Sequence, residues 1–146
     1  MDEAETAPAP VRTPWHLWVV GVLALLWNAS GAYTIMMAQA GRLPNLSADE
    51  IEYYATQPLW FVLVSDIALI GAVAGAVAIL FKRRFAVWLF GVSLVAIAIT
   101  DVYDLGTGMS RALVTTAAMI VTALIFVLAV LELWYAFAMS KRGVLR

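Results

Sequence analysis

The sequence predicts an all-α fold: an integral membrane four-helix bundle with both termini cytoplasmic. Three observations lead there. Four long apolar runs fill most of the 146 residues, 64% of the chain is hydrophobic against 13% charged, and the basic residues gather at one end of the runs. The runs cover residues 15–37, 58–81, 85–103 and 112–139. A hydrocarbon core of ~30 Å takes ~20 apolar residues of helix, and each run meets or nearly meets that length. Residues 1–13 read as a disordered acidic tail, 14–140 as the bundle and 141–146 as a basic cytoplasmic tail.

The first run opens at Thr13-Pro14, a pairing that suits an N-cap and the first helical position. The preceding acidic, Ala- and Pro-rich segment lacks the basic start of a cleaved leader. Ala38-Gln39-Ala40 resembles a cleavage site, but the run before it is too long for an ordinary leader, so the first helix is expected to remain. Arg12, Lys82, Arg83, Arg84, Lys141, Arg142 and Arg146 fall on one side of a four-span layout, and only Arg42 and Arg111 on the other. Cytoplasmic loops carry the excess of Lys and Arg, which sets the orientation. Trp15, Trp18, Trp88, Trp134 and Tyr135 mark the same boundary, where amphipathic rings favour the headgroup layer. Trp60 marks the opposite one.

Between the first two runs, Ser47 is followed by Glu50, a capping-box pattern that predicts a short amphipathic helix on the outer interface. Asn45-Leu46-Ser47 also matches a glycosylation sequon, a pattern common by chance. Lys82-Arg83-Arg84 alone separates the second and third runs, which predicts a tight antiparallel hairpin. Gly71 and Gly75 form a G-x-x-x-G in the second run. Small residues four apart let another backbone come close, and packing within the bundle is favoured over a dimer seam. Thr115, Ala118, Thr122 and Ala123 give the fourth run a second small-residue face, expected to meet the first or second run. The first and third runs share Trp18/Trp88, Gly21/Gly91, Val22/Val92 and Tyr33/Tyr103 at one offset, a faint parallel similarity.

The chain has no cysteine and a single histidine, His16. Disulfides, cysteine-held clusters, a bis-histidine haem within one chain and a multi-histidine zinc site are therefore excluded. A net charge of −1 offers no broad basic surface, so no nucleic-acid partner is expected. No cofactor, metal site or catalytic residue is assigned.

Any chemistry must then reside in the polar residues of the runs. Asp66, Asp101 and Asn28 come out at similar heights when ~1.5 Å is counted per helical residue. Tyr33 and Tyr103 lie within a turn or two. Asn28, Asp66, Asp101, Tyr33 and Tyr103 thus form a candidate polar cluster, read either as hydrogen-bonded glue that fixes helix register or as a site with a shared proton. Arg111 is a candidate partner for Asp101 or Asp104. Glu132 is expected near the cytoplasmic boundary, as an interfacial ion-pair or solvated carboxylate beside His16 and the Lys82-Arg83-Arg84 loop.

The stretch Leu26-Trp27-Asn28-Ala29-Ser30-Gly31-Ala32-Tyr33 resembles a group of small bacterial four-helix membrane proteins, often labelled sugar transporters. Ile51-Glu52-Tyr53-Tyr54 leading to Pro58-Leu59-Trp60, and Lys82-Arg83-Arg84-Phe85-Ala86-Val87, are similar to the same group. Where that family often has Asp after the Gly-Ala-aromatic step, this chain has Thr34. The resemblance implies four helices in a bacterial inner membrane and supplies no mechanism. The function expected first is a non-enzymatic accessory or assembly subunit of a membrane complex, with lipid and other membrane subunits, or a second copy, as partners. The alternative is a sugar-type or proton-coupled transporter acting as an oligomer. A quinone-linked or other enzyme ranks third, since no nucleophile–base pair is evident.

Overall fold

The computed structural model describes residues 12–146, so most of the acidic tail lies outside the described residues. Five α-helices follow one another: α1 (His16–Gln39), α2 (Ala48–Thr56), α3 (Leu59–Leu80), α4 (Ala86–Thr107) and α5 (Thr116–Lys141), with a 3-10 turn at Arg111–Leu113. There is no strand among the described residues. Every helix except α2 is long and apolar enough to cross a membrane. They alternate in direction, so the α1 start, the α3–α4 loop and the end of α5 share one end of the bundle, the terminal end. The α2 helix and the 3-10 turn share the other.

Capping chemistry explains most boundaries. Ser47 accepts the Glu50 amide and Glu50 returns a bond to the Ser47 amide, so α2 opens on the expected capping box. α1 begins later than Thr13-Pro14 suggests. Trp15 is the N-cap, and the Pro14 and Trp15 carbonyls accept the Leu17 and Trp18 amides in a tight first turn. The fourth run starts irregularly: the 3-10 turn intervenes and Thr115, read as a packing residue, instead caps α5 by accepting the Ala118 amide. α4 runs a turn past Tyr103 and stops at Gly108, whose φ of 66° is left-handed.

Helix ends α1, α3 and α5 close alike, with paired bonds back to the last turn around a left-handed residue. The residues are Gly41, Lys82 and Gly143, at φ 65°, 56° and 70°. At α5, Gly143 donates to Ser140 and Val144 to Met139.

α3 packs on both α1 and α4, and α4 packs on α5. Packing follows the glycines. A Cβ on Gly75 would lie 2.9 Å from the Phe90 ring, and one on Gly71 would lie 3.3 Å from the Leu89 carbonyl oxygen. The G-x-x-x-G face of α3 is therefore turned to α4 within the chain. Beside it Ser93 donates to the Ala68 carbonyl at 2.7 Å, an interhelical bond the sequence reading did not single out.

All four long helices converge at the terminal end, where Leu17, Ala76, Ile79, Ala86, Phe90, Ala136 and Met139 are buried together. The chain's last residues complete this core. Within residues 141–146, expected as a basic cytoplasmic tail, Val144 and Leu145 are 6% and 1% exposed. Arg146 donates to the Lys82 carbonyl at 2.7 Å and accepts the Arg84 amide at 3.0 Å. The turn after Gly143 forces this return, folding two apolar side chains under the α3–α4 loop.

α5 leaves the bundle as it rises from that core. Residues 114–127 are all exposed, whereas α3 buries residues along its whole length from Phe61 to Ile79.

Candidate functional site

Two side-chain pairs join α1 to α5. His16 Nδ1 and the Tyr135 hydroxyl lie 2.8 Å apart near the terminal end. Further up, Asn28 Nδ2 donates to both carboxylate oxygens of Glu132, at 2.8 and 3.1 Å. Asn28 stands ~18 Å along α1 from His16, and Glu132 ~14 Å along α5 from Lys141, at 1.5 Å of rise per residue. Asn28 is thus at the middle of α1, and Glu132 about a third of the way along α5 from its end. Glu132, expected beside His16 and the basic loop, is bonded instead to the Asn28 amide of α1.

Around Glu132 the two helices bound an open apolar groove of about 450 Å³, with Leu23 and Trp27 on one wall and Leu128, Leu131 and Trp134 on the other. The residues at α1 that touch α5 elsewhere are few, so the space between them is not filled by interlocked side chains. The carboxylate is the one ionisable group among this lining besides Tyr135.

The remaining members of the sequence-derived cluster go elsewhere. Tyr33 is 65% exposed on α1. Five residues at ~100° each turn it roughly 140° away from Asn28, so the two cannot share a face. Tyr103 stacks edge-on to Trp60, with centroids 4.6 Å apart, and lies against Phe61 at 5.7 Å, pinning the end of α4 to the start of α3. Asp101 is half-buried at the same end. Asp66 is partly buried, and its Oδ1 has no hydrogen-bond partner among the described residues.

Asp104, expected beside Arg111, accepts the Ser110 amide at 2.9 Å, while the Arg111 guanidinium folds back over Gly108. Tyr53 of α2 sits against this end. Burial raises its phenol to about 12, and the nearby Asp104 charge pushes in the same direction. Burial likewise raises Tyr54, and the Ser47 bonds hold Glu50 below the ordinary carboxylate range.

Among the described residues no group of three His, Asp or Glu side chains converges as a metal site would require. The chain matches no family model, no curated protein and no solved structure.

Proposed function

We propose that this chain is a small integral membrane protein of the bacterial inner membrane, with both termini cytoplasmic, that serves as a non-enzymatic accessory or assembly subunit of a membrane complex. The observation that carries the reading is α5. It is anchored in the common core only around Ala136 and Met139, and its whole first half is exposed. Ala118, Thr122 and Ala123 lie on that exposed half. Small residues admit a neighbouring helix closely, and packing and interhelical hydrogen bonds are what drive helix association in lipid. A transmembrane helix of another subunit is the natural occupant.

The test is extraction of the full chain into polymer-bounded native discs, with a photo-crosslinking residue at Ile120 or, as a control, at Val95 on α4. The reading expects one foreign membrane chain in fixed ratio, crosslinked from Ile120 and not from Val95. Recovery of this chain alone overturns it.

A second reading, the sugar-type or proton-coupled transporter, draws support from the carboxylates Asp66, Asp101 and Glu132 within long apolar helices, since such groups mark pathways by default. The groove at Glu132 suits a sugar poorly. Its walls are almost wholly apolar, whereas a sugar needs a polar partner for each hydroxyl it brings out of water.

A further inference from the structure

We propose that the groove between α1 and α5 binds a lipophilic organic cation that carries no N–H donors, with Glu132 as counter-charge and Trp27 and Trp134 as aromatic walls. This goes beyond the subunit reading and does not depend on it.

The argument starts from the carboxylate. An ionised carboxylate offers about four lone-pair sites. Here both oxygens of Glu132 share the single Asn28 amino group, so acceptor capacity remains over and a cation brought to the carboxylate would favour its ionised form. No cationic side chain among the described residues acts on it. A charge at mid-helix in a bilayer is expensive and is kept where it meets a partner, water or a ligand.

The groove then selects among partners. An anion is repelled by Glu132. A neutral apolar molecule fills the space and leaves the charge uncompensated. A lysine-type ammonium compensates it but brings three N–H donors, and the lining supplies few acceptors beyond Glu132. The Tyr135 hydroxyl already faces His16. A quaternary ammonium or phosphonium has diffuse charge, no donors to satisfy and an apolar exterior that matches the leucines. Such ions are also attracted to the faces of indole rings within roughly 6 Å. Trp27 and Trp134 line the groove, are 40% and 66% exposed overall and do not belong to the buried core. A space of about 450 Å³ falls in the range of sites that hold a drug-sized molecule.

The test uses the full chain in lipid nanodiscs, titrated with tetraphenylphosphonium by equilibrium dialysis and by tryptophan fluorescence. The expected result is saturable binding, one ion per chain, with neutral triphenylphosphine oxide failing to displace it. Glu132→Gln keeps an acceptor for Asn28 and should weaken binding at least tenfold at unchanged helix content. Trp27→Leu with Trp134→Leu leaves the Glu132–Asn28 pair in place and should weaken it severalfold, which reads the site even where Glu132→Gln fails to fold. Absence of saturable binding overturns the proposal, as does equal binding by a folded Glu132→Gln chain or by the double tryptophan variant. Carbodiimide coupling of Glu132 to a lysine of a co-extracted chain also overturns it, since the groove is then a helix seat. That outcome would leave the accessory-subunit reading standing, so the two fail separately.

Discussion

At the scale of single residues, two contacts define what the bundle tolerates. Gly75 is an obligatory small residue, since a Cβ there meets the Phe90 ring at 2.9 Å. The ring is 2% exposed and surrounded, so it has little room to yield. Gly75→Ala should therefore cost about 1–3 kcal/mol by overpacking, and Phe90→Ala about 3–5 kcal/mol by leaving a cavity. Unfolding in nanodiscs by steric trapping measures both; a neutral Gly75→Ala would show that α3 and α4 pack less tightly. Asn28 is the other case. Asn28→Ala strips Glu132 of its partner and should cost about 1–3 kcal/mol, whereas Asn28→Leu combined with Glu132→Leu should be close to neutral. If the double variant is as unstable as the single one, the pair contributes by more than mutual satisfaction.

The same residues show where sequence reasoning reaches its limit. Depth along a helix is readable by counting, and it placed Asn28, Asp66 and Asp101 at one level. Azimuth is also readable, and applying it would have parted Tyr33 from Asn28. The Asn28–Glu132 pair was not readable, because the relative height of α1 and α5 depends on how the helices cross. Ser93 was hidden for another reason: a lone serine in an apolar helix looks alike whether it bonds its own turn or, as here, the Ala68 carbonyl across α3.

At the scale of elements, helix length came straight from the apolar runs, and the Ser47–Glu50 box fixed the start of α2. Gly41 and Gly143 mark helix stops in the ordinary way. Lys82 fills the same left-handed role without being glycine, so no sequence signal announced it. Substituting Gly143→Ala forces a Cβ into a left-handed position and should cost about 1–2 kcal/mol. Its sign is read from protease protection of residues 144–146; unchanged protection would mean the return does not need the turn. The α2 helix responds to alkali. The Tyr53 phenol is raised to about 12 from an ordinary 10, chiefly by burial. The folded chain thus holds that proton more tightly than the unfolded one. The contribution is complete below pH 10 and is lost as pH rises from about 10 to about 12. Titration of tyrosinate absorbance should show a phenol ionising at about 12 that Tyr53→Phe removes; no change in that variant refutes the assignment. Glu50 works in the opposite sense. Its lowered value means the capping contribution is present above the ordinary carboxylate range and fades as acid protonates it.

For the molecule as a whole, α1, α3 and α4 make a continuous packed unit, and α5 is attached to it at one end. The basic residues of the sequence mark the terminal end of that unit, which predicts a simple labelling result. The chain has no cysteine, so single cysteines can be introduced on a clean background. A cysteine at Ser110 should react with an impermeant reagent added outside intact cells, and one at Arg83 only after the cells are opened. The reverse pattern would invert the proposed orientation. What the sequence did not convey is the asymmetry of the bundle. Four runs of similar length imply four equal neighbours, whereas the packing small residues cluster on α3 and leave α5 with half its length uncovered.

The return of the chain after Gly143 has a consequence for biosynthesis. Leu145 is buried in the same core as Leu17 and Phe90, and Arg146 is bonded to the α3–α4 loop. A ribosome that has delivered all four long helices has therefore not yet delivered the two apolar side chains that fill their junction. A chain cut after Gly143 loses Val144 and Leu145 from the junction of its helices and should expose the core there.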